Sequence, residues 1–180
     1  MITGSLSRRY AKALLEIGIA QQTYDALGKE LERAVDTLRS SPELRNALEN
    51  PIFSIEKRKL IMDELSRRLA LSKTVRNFIM LLLDKGRIAR LPDISRVYRG
   101  LVDEHAGRVR ATVVSARPLD PMLETRLKTA LEKQSGKVVI FEKREDPSIL
   151  GGLITQLGDT LYDGSVRTQL QELREELLSE

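Results

Sequence analysis

Few side chains in this 180-residue sequence could carry out chemistry. Cysteine is absent, which excludes disulfides, thiolate nucleophiles, iron–sulfur clusters and cysteine-ligated zinc. The single histidine, His105, leaves imidazole-based metal sites and catalytic dyads hard to assemble. We expect it at the end of a helix, where the helix dipole favours a cation. These counts disfavour most enzyme mechanisms, and we expect no metal and no cofactor, whereas acyl chemistry with lysine or with paired carboxylates remains open.

Two acidic residues and a glycine pair are the remaining candidates for chemistry. Asp159 and Asp163 could act as a paired acid and base, but each lies in a predicted turn, where aspartate is favoured because its side chain bonds the local backbone. Gly151 and Gly152 could suggest a phosphate-binding loop, which would need a lysine and a serine or threonine leading into a helix. No lysine is close by, so we interpret the glycines as a backbone corner into a strand and the aspartates as turn formers.

The net charge is +4, from 30 basic and 26 acidic residues, and the basic excess lies in residues 1–106. The basic pairs Arg8–Arg9 and Arg67–Arg68 are separated by acids and tryptophan is absent, which is weak evidence for nucleic-acid binding.

Hydrophobic residues make up 41% of the chain, enough for a buried core. The longest apolar run, residues 78–83, is far shorter than the roughly 20 residues that cross a bilayer. The sequence thus predicts a folded chain that does not span a membrane.

Apolar residues recur at helical spacing through the first part of the chain and predict six helices. Ser41 and Ser54 are placed to cap the third and fourth of these, and Gly86 is suited to end the fifth. The predicted helices span about 5–20, 24–38, 42–48, 55–70, 73–85 and 92–106. Six helices with short connections are typical of a bundle.

The first and fifth helices carry more apolar surface than one core face needs. Residues 78–83 surround the fifth helix with apolar side chains, so either this helix is the central one or one of its sides is a docking face. The stripe of the first helix that we interpret as core consists of Tyr10, Ala13, Leu14 and Ile17. Other sides of that helix carry Ala11, Leu15, Gly18 and Ile19. Two such helices packed together can fill a core and still leave a groove for a partner's amphipathic helix.

Two arginines, Arg87 and Arg90, follow the fifth helix. They could contact an anionic partner. Solvated charge at a helix end is the commoner explanation, and we adopt it.

At Gly107 the apolar spacing changes from the helical period to the strand period. Val109, Ala111 and Val113 alternate with polar residues and predict a half-buried strand. A helix follows at about 121–134, with further strands at 138–141, 153–157 and 160–162. The dipeptide Gly158–Asp159 is suited to a hairpin turn, and Asp163–Gly164–Ser165 is predicted to turn into a closing helix. One face of that helix carries Val166, Leu170, Leu173 and Leu177.

The predicted fold class is α+β, with an N-terminal six-helix bundle over residues 1–106 and a small C-terminal α/β module with a short mixed sheet over residues 107–180. The second module is barely large enough to be stable by itself, and we expect it to be stabilised by packing against a neighbour. From the residues alone we interpret the chain as a two-module interaction protein. The alternatives are a basic helical nucleic-acid-binding protein, whose affinity would fall steeply between about 50 and 200 mM salt, and an enzyme that uses Asp159 or Asp163.

Short motifs in a fixed order carry a resemblance to a known family. The motifs are Arg9-Tyr10-Ala11-Lys12-Ala13-Leu14, Asn50-Pro51, Lys85-Gly86-Arg87, Ser115-Ala116-Arg117-Pro118-Leu119, Asp146-Pro147-Ser148-Ile149-Leu150-Gly151-Gly152, Gly158-Asp159 and Asp163-Gly164-Ser165-Val166-Arg167 with Leu170. Each motif is weak by itself, whereas the ordered set is highly specific. Over essentially its full length the chain resembles the delta subunit of F-type ATP synthases, called the oligomycin-sensitivity-conferring protein in mitochondria.

The resemblance implies a stator that does no chemistry. In that family the N-terminal bundle, here 1–106, binds the amphipathic N-terminal helix of an alpha subunit on the catalytic head. The C-terminal module, here 107–180, grips the C-terminal end of the membrane-anchored b-subunit stalk. The subunit thereby resists the torque of the rotor, so that proton flow is coupled to ATP synthesis. No nucleic acid is implied, and association with the membrane is expected only through the complex.

The resemblance also implies roles for particular residues. The alpha-binding groove of the family lies between the first and fifth helices, which carries onto Tyr10, Ala13, Leu14, Phe78, Leu81 and Leu82. Residues expected to shape the fold of the second module are Gly151, Gly152, Gly158, Asp163 and Gly164. Because the sequence starts at Met1 without an Arg- and Ser-rich, acid-poor leader, we expect a bacterial protein, peripheral on the cytoplasmic face of the plasma membrane.

Overall fold

A computed structural model describes residues 2–158 and 160–179 of the chain. The chain divides into two compact units, residues 1–102 and 103–180. The division falls four residues before the end of the sequence-predicted bundle at Ala106, inside the last turn of the sixth helix. The reason is local, since the Asp103 carboxylate accepts a 2.6 Å hydrogen bond from Nε of Arg110 in the following strand. The last turn of the helix is thereby tied to the second unit.

The first unit is helical, as the apolar spacing predicts. Its helices are α1 (Ile2–Ala20), α2 (Tyr24–Ser40), α3 (Pro42–Glu49), α4 (Ile55–Arg68), α5 (Lys73–Asp84) and α6 (Leu91–His105), with a 3-10 turn at Ile88–Arg90. The predicted caps are present: the Ser41 and Ser54 hydroxyls accept from the backbone N–H groups of Leu44 and Lys57 at 3.3 and 3.4 Å. Gly86 ends α5 with φ +62°, the left-handed conformation that glycine adopts without steric cost.

The buried face of α1 differs from the interpretation of its apolar stripe. Of the stripe, Leu14 is buried, whereas Tyr10 is half-buried and Ala13 and Ile17 are exposed. The positions that enter the core with Leu14 are Ser7, Ala11, Leu15 and Gly18. The reason is the close approach of α2, since a Cβ on Gly18 would lie only 2.9 Å from the Tyr24 Cα. A residue without a side chain must therefore point inward at position 18, and the opposite side of α1, with Ala13 and Ile17, is left exposed.

Tyr98 of α6 bonds and packs against the start of α2. Its side chain is fully buried, and its hydroxyl donates a 3.0 Å hydrogen bond to the Tyr24 carbonyl at the start of α2. The ring also packs 3.4 Å from where a Cβ on Gly28 would lie. Burial, reinforced by the nearby Asp25 carboxylate, raises the pKa of Tyr98 to about 12. A residue in α6 therefore sets the spacing of α1 and α2.

Replacing Tyr98 by phenylalanine is expected to lower the free energy of unfolding by about 1–2 kcal/mol at neutral pH, because the buried hydrogen bond is lost. The folded state also keeps the hydroxyl proton where the unfolded tyrosine, with a pKa near 10.0, gives it up. The contribution of Tyr98 is therefore fully present below pH 10.0 and is lost as the pH rises towards about 12. Urea unfolding of both proteins across this range should show the gap closing; a constant gap would contradict the assignment.

The second unit contains a four-stranded mixed sheet in the order β2-β1-β3-β4. Its elements are β1 (Arg108–Ser115), α7 (Pro121–Ser135), β2 (Val138–Glu145), β3 (Gly152–Leu157), β4 (Thr160–Ser165) and α8 (Val166–Ser179), with a 3-10 turn at Pro147–Ile149. Strand β1 pairs in parallel with β2 and antiparallel with β3, which in turn pairs antiparallel with β4. Helix α7 is the crossover between the parallel strands, and its Leu131 packs on Ala111 and Val139 in a small core. Within the described residues the predicted α+β fold class, a six-helix bundle followed by a small mixed sheet, is confirmed.

Two strands run further than the sequence predicts. Strand β2 continues beyond Phe141 through charged residues, which are common on edge strands because they discourage pairing with other chains. Strand β4 includes Asp163 and Gly164, which the sequence predicts to be a turn; Gly164 pairs with Leu153 of β3. The turn prediction for these two residues was therefore wrong. The hairpin turn predicted at Gly158–Asp159 includes Asp159, which lies outside the described residues.

Candidate protein-docking site

Helices α1 and α5 lie side by side and run in opposite directions. Near the start of α5, the Thr74 hydroxyl donates to the Gln21 side-chain oxygen just beyond the end of α1, at 3.3 Å. One to two turns further along α5, the ring of Phe78 packs edge-on against the ring of Tyr10, with centroids 6.2 Å apart. These side-chain contacts with α1 therefore lie in the first half of α5.

The structure places the six predicted groove residues in two layers. Leu14 and Leu82 are 1% and 0% exposed and lie inside the bundle, and Phe78 is buried at 8%. Tyr10 is half-buried, while Ala13 and Leu81 are exposed. Exposed Ile17, which the predicted groove omits although its spacing from Tyr10 and Ala13 could have indicated it, lies on the same face of α1. We call the four outer residues, Tyr10, Ala13, Ile17 and Leu81, the α1–α5 seam.

One end of the seam is closed by Arg87. Its Nη1 donates a 2.6 Å hydrogen bond to the Tyr10 hydroxyl, and its guanidinium carbon lies 5.6 Å from the centre of the Tyr10 ring. The interpretation of Arg87 as a solvated helix-end charge was therefore wrong. Arg90, by contrast, is exposed and its guanidinium lies 3.8 Å from the Asp93 carboxylate of the next turn. The sequence offered no signal for the Arg87–Tyr10 contact, because the partners are 77 residues apart.

The glycines singled out in the second unit occupy crowded or left-handed backbone. Gly152 has φ +76°, and a Cβ there would lie 2.1 Å from the Gly164 carbonyl oxygen. A Cβ on Gly151 would lie 3.1 Å from a methyl group of Val166, and Gly158 has φ +58°. These positions therefore hold β3 against β4 and the start of α8.

The Asp163 side chain accepts hydrogen bonds from residues at the start of α8. Its carboxylate accepts from the Ser165 backbone N–H at 2.9 Å and from the Thr168 hydroxyl at 2.8 Å. The Ser165 hydroxyl accepts from the Thr168 N–H at 3.2 Å and so caps the helix. The backbone bond from Ser165, followed by the bond from Thr168, holds the pKa of Asp163 below its usual value. An ionised side chain with these bonds acts as a helix cap.

Helix α8 leaves its apolar stripe uncovered. The exposed fractions of Val166, Leu170 and Leu173 are 39%, 53% and 52%. These three residues lie on one face of the helix, at spacings of four and three. Leu177, predicted on the same face, has a side chain outside the described part. The second unit thus presents a second apolar surface.

A search of residues 2–158 and 160–179 finds no group of three or more histidine, cysteine, aspartate or glutamate side chains that could hold a metal ion. None of the helices described is both long and apolar enough to cross a membrane.

Each of the two units thus carries an exposed apolar stripe on a helix. A family profile described as ATP synthase delta (OSCP) subunit matches residues 6–177. The chain belongs to this family.

Individual relatives agree with that assignment. The chain is 40% identical over 177 residues to an ATP synthase subunit delta of Anaeromyxobacter dehalogenans, covering 98% of this chain and 99% of the relative. It is 39% identical over 175 residues to an ATP synthase subunit delta of Geobacter metallireducens, covering 97% of each. In fold it is similar to a chain in the cryo-EM structure of the Toxoplasma gondii mitochondrial ATP synthase hexamer, with a TM-score of 0.69 at 21% identity over 96% of this chain and 97% of the other.

Proposed function

We propose that this chain joins the two ends of a stator through its two units. The family makes it a peripheral-stalk subunit of an F-type ATP synthase, which performs no catalysis itself. In the proposal, the helical bundle binds the amphipathic N-terminal helix of an alpha subunit on the catalytic head. The second unit binds the C-terminal end of the b-subunit stalk. The joint resists rotor torque, so that proton flow is coupled to ATP synthesis.

The observation that carries the head contact is the α1–α5 seam. Tyr10, Ala13 and Ile17 follow one another at spacings of three and four along α1. Leu81 is exposed on α5 and, seven residues after Thr74, lies on the same face of α5 as that residue, whose hydroxyl contacts Gln21 just after α1. Ala13, between Tyr10 and Ile17, has the smallest side chain of the strip. A partner helix with apolar residues at positions i, i+3, i+4 and i+7 would fit such a strip. Burial at roughly 25 cal/mol per Å² can hold this static joint without buried polar groups.

The exposed stripe of α8 supports the stalk contact. Val166, Leu170 and Leu173 are between 39% and 53% exposed, so a partner that covers them would remove apolar surface from water. The end of a helical stalk can supply a matching apolar face. Gly151 and Asp163 contribute indirectly, since they hold the start of α8 in place.

The proposed location is at the membrane surface, as part of the complex. Attachment to the membrane runs only through the stalk, and the chain lies on the cytoplasmic face of the bacterial plasma membrane. The curated relatives described above, from Anaeromyxobacter and Geobacter, support a bacterial setting.

The head contact is tested by calorimetric titration of the full chain with a synthetic peptide of the alpha subunit's N-terminal segment, at about 50 and 200 mM salt. We expect saturable binding that falls far less with salt than phosphate contacts would require, because most of the buried surface is apolar. Absence of binding at both salt concentrations, from a chain with normal helical content, would remove the seam as the head contact.

The stalk contact is tested by titrating the same chain with the soluble part of the b subunit. Leu170→Glu is expected to weaken this binding by at least tenfold, because a charge would be covered in the interface. The same variant should bind the alpha peptide as the wild type does. Equal b-subunit affinity for wild type and variant would exclude the α8 stripe as the contact.

A further inference from the structure

We propose that Arg87 determines the specificity of the α1–α5 seam by receiving a carboxylate of the docked helix. Arg87 thereby fixes the register of the partner; two further exposed cations are near in sequence, Arg9 next to Tyr10 and Lys85 two residues before Arg87. This inference rests on the proposed head contact and names a chemical feature of the partner, an acidic residue at one end of its apolar stripe.

The turn after α5 places Arg87 with little freedom. Gly86 is left-handed at φ +62°, and its N–H donates to the Leu83 carbonyl at 3.0 Å. The Arg87 N–H donates to the Leu82 carbonyl at 2.7 Å. This pair of bonds is the Schellman arrangement, which directs the residue after the glycine back towards the helix. The side chain then lies on the Tyr10 ring, and Tyr10 lies on Phe78.

Arg87 has N–H donors that its hydrogen bond to Tyr10 does not use. A guanidinium carries five N–H donors, and the bond to the Tyr10 hydroxyl uses one of its nitrogens, Nη1. No described carboxylate forms an ion pair with Arg87, Arg9 or Lys85. Asp84, the acid closest in sequence to Lys85 and Arg87, is paired with Lys59 of α4 at 2.5 Å. Arg87 therefore carries a positive charge that no described carboxylate pairs with, beside the apolar seam.

A positive charge at one end of the seam can fix the direction and register of a bound helix, which the apolar strip by itself cannot do. Apolar contact is non-directional, so an amphipathic helix could bind the strip displaced by a turn or reversed. At the opposite end the contact between Thr74 and Gln21 joins two uncharged side chains. A guanidinium already held against Tyr10 by a hydrogen bond loses little conformational entropy when it binds a carboxylate in its fork. The partner is therefore bound in the register that brings its acidic residue to Arg87.

The test compares two synthetic peptides of the alpha subunit's N-terminal segment, the native one and one in which every Asp and Glu is changed to Asn or Gln. Each is titrated calorimetrically into the full-length wild type, Arg87→Gln and Arg87→Lys. We expect Arg87→Gln to weaken the native peptide about tenfold and the neutral peptide less than about twofold, with Arg87→Lys in between for the native peptide. Arg96→Gln is the matched control, since that α6 arginine is 80% exposed and pairs with Asp93 on its own helix, so both affinities should stay unchanged.

An equal loss of affinity for both peptides on Arg87→Gln would overturn the inference, because Arg87 would then act only by holding Tyr10. Equal binding of both peptides by the wild type would overturn it as well. If the wild type bound neither peptide, the proposed head contact itself would fail. Far-UV circular dichroism of each variant verifies the fold, and Arg87→Lys, which keeps the charge, gives a second measurement if Arg87→Gln is unstable.

Discussion

Replacing Gly152 by alanine is expected to destabilise the second unit by roughly 3–5 kcal/mol, combining the cost of left-handed backbone with that of overpacking. The added Cβ would lie 2.1 Å from the Gly164 carbonyl oxygen, at a backbone φ of +76°. Because the obstructing atom belongs to the paired strand, relief requires β3 and β4 to separate at the point where Gly152 faces Ser165. Urea unfolding and hydrogen exchange of the β3 and β4 amides would measure the effect.

The matched control for this substitution is Gly136→Ala. Gly136 caps α7 at φ +66°, nearly the same backbone conformation, but nothing lies within 4 Å of the added Cβ. The control should therefore lose only the left-handed cost of about 1–2 kcal/mol. Equal losses for the two variants would mean that the contact between Gly152 and Gly164 adds nothing, and would contradict the role assigned to this corner.

Replacing Ala13 by aspartate is expected to weaken binding of the alpha-subunit peptide by at least about 100-fold, because docking would bury a charge without a partner. Ala13 is exposed on α1, so the helical content and the free energy of unfolding should remain close to those of the wild type. Titration calorimetry gives the first quantity, and circular dichroism with urea unfolding gives the others.

Ala130→Asp serves as the control, since Ala130 is an exposed helical alanine on α7 in the second unit. It adds the same charge to the chain away from the seam and should leave peptide affinity unchanged. If Ala13→Asp bound the peptide as the wild type does, the seam would not be the head contact. If Ala13→Asp instead unfolded the bundle, Ala13 would belong to the core.

The elements were readable from the sequence because their signals are local. Ser41 and Ser54 mark helix starts through bonds to backbone groups three residues away, and Gly86 ends α5 through its own backbone freedom. The change of period at Gly107 likewise reports a strand that pairs over its whole length. Each of these features needs only a few neighbouring residues.

The candidate site was only partly readable. The apolar character of α1 and α5 indicates that these helices can fill the core and still leave a groove for a partner helix. In the structure Ala13 and Leu81 are exposed. Which side of α1 is buried was not readable, because both sides are apolar or small. The approach of Tyr24 to Gly18 decides it, and this contact joins separate helices.

The sequence by itself determined the helix and strand periods, the caps, the order of the two units and, through its ordered motifs, the family. Only the tertiary structure decided that Gly164 pairs in a strand, that Arg87 lies on Tyr10 and that Ile17 stays at the surface. The physical reason is the same for all three. Packing and strand pairing depend on residues distant in the chain, and their energies override local turn and helix-end preferences of similar or smaller size.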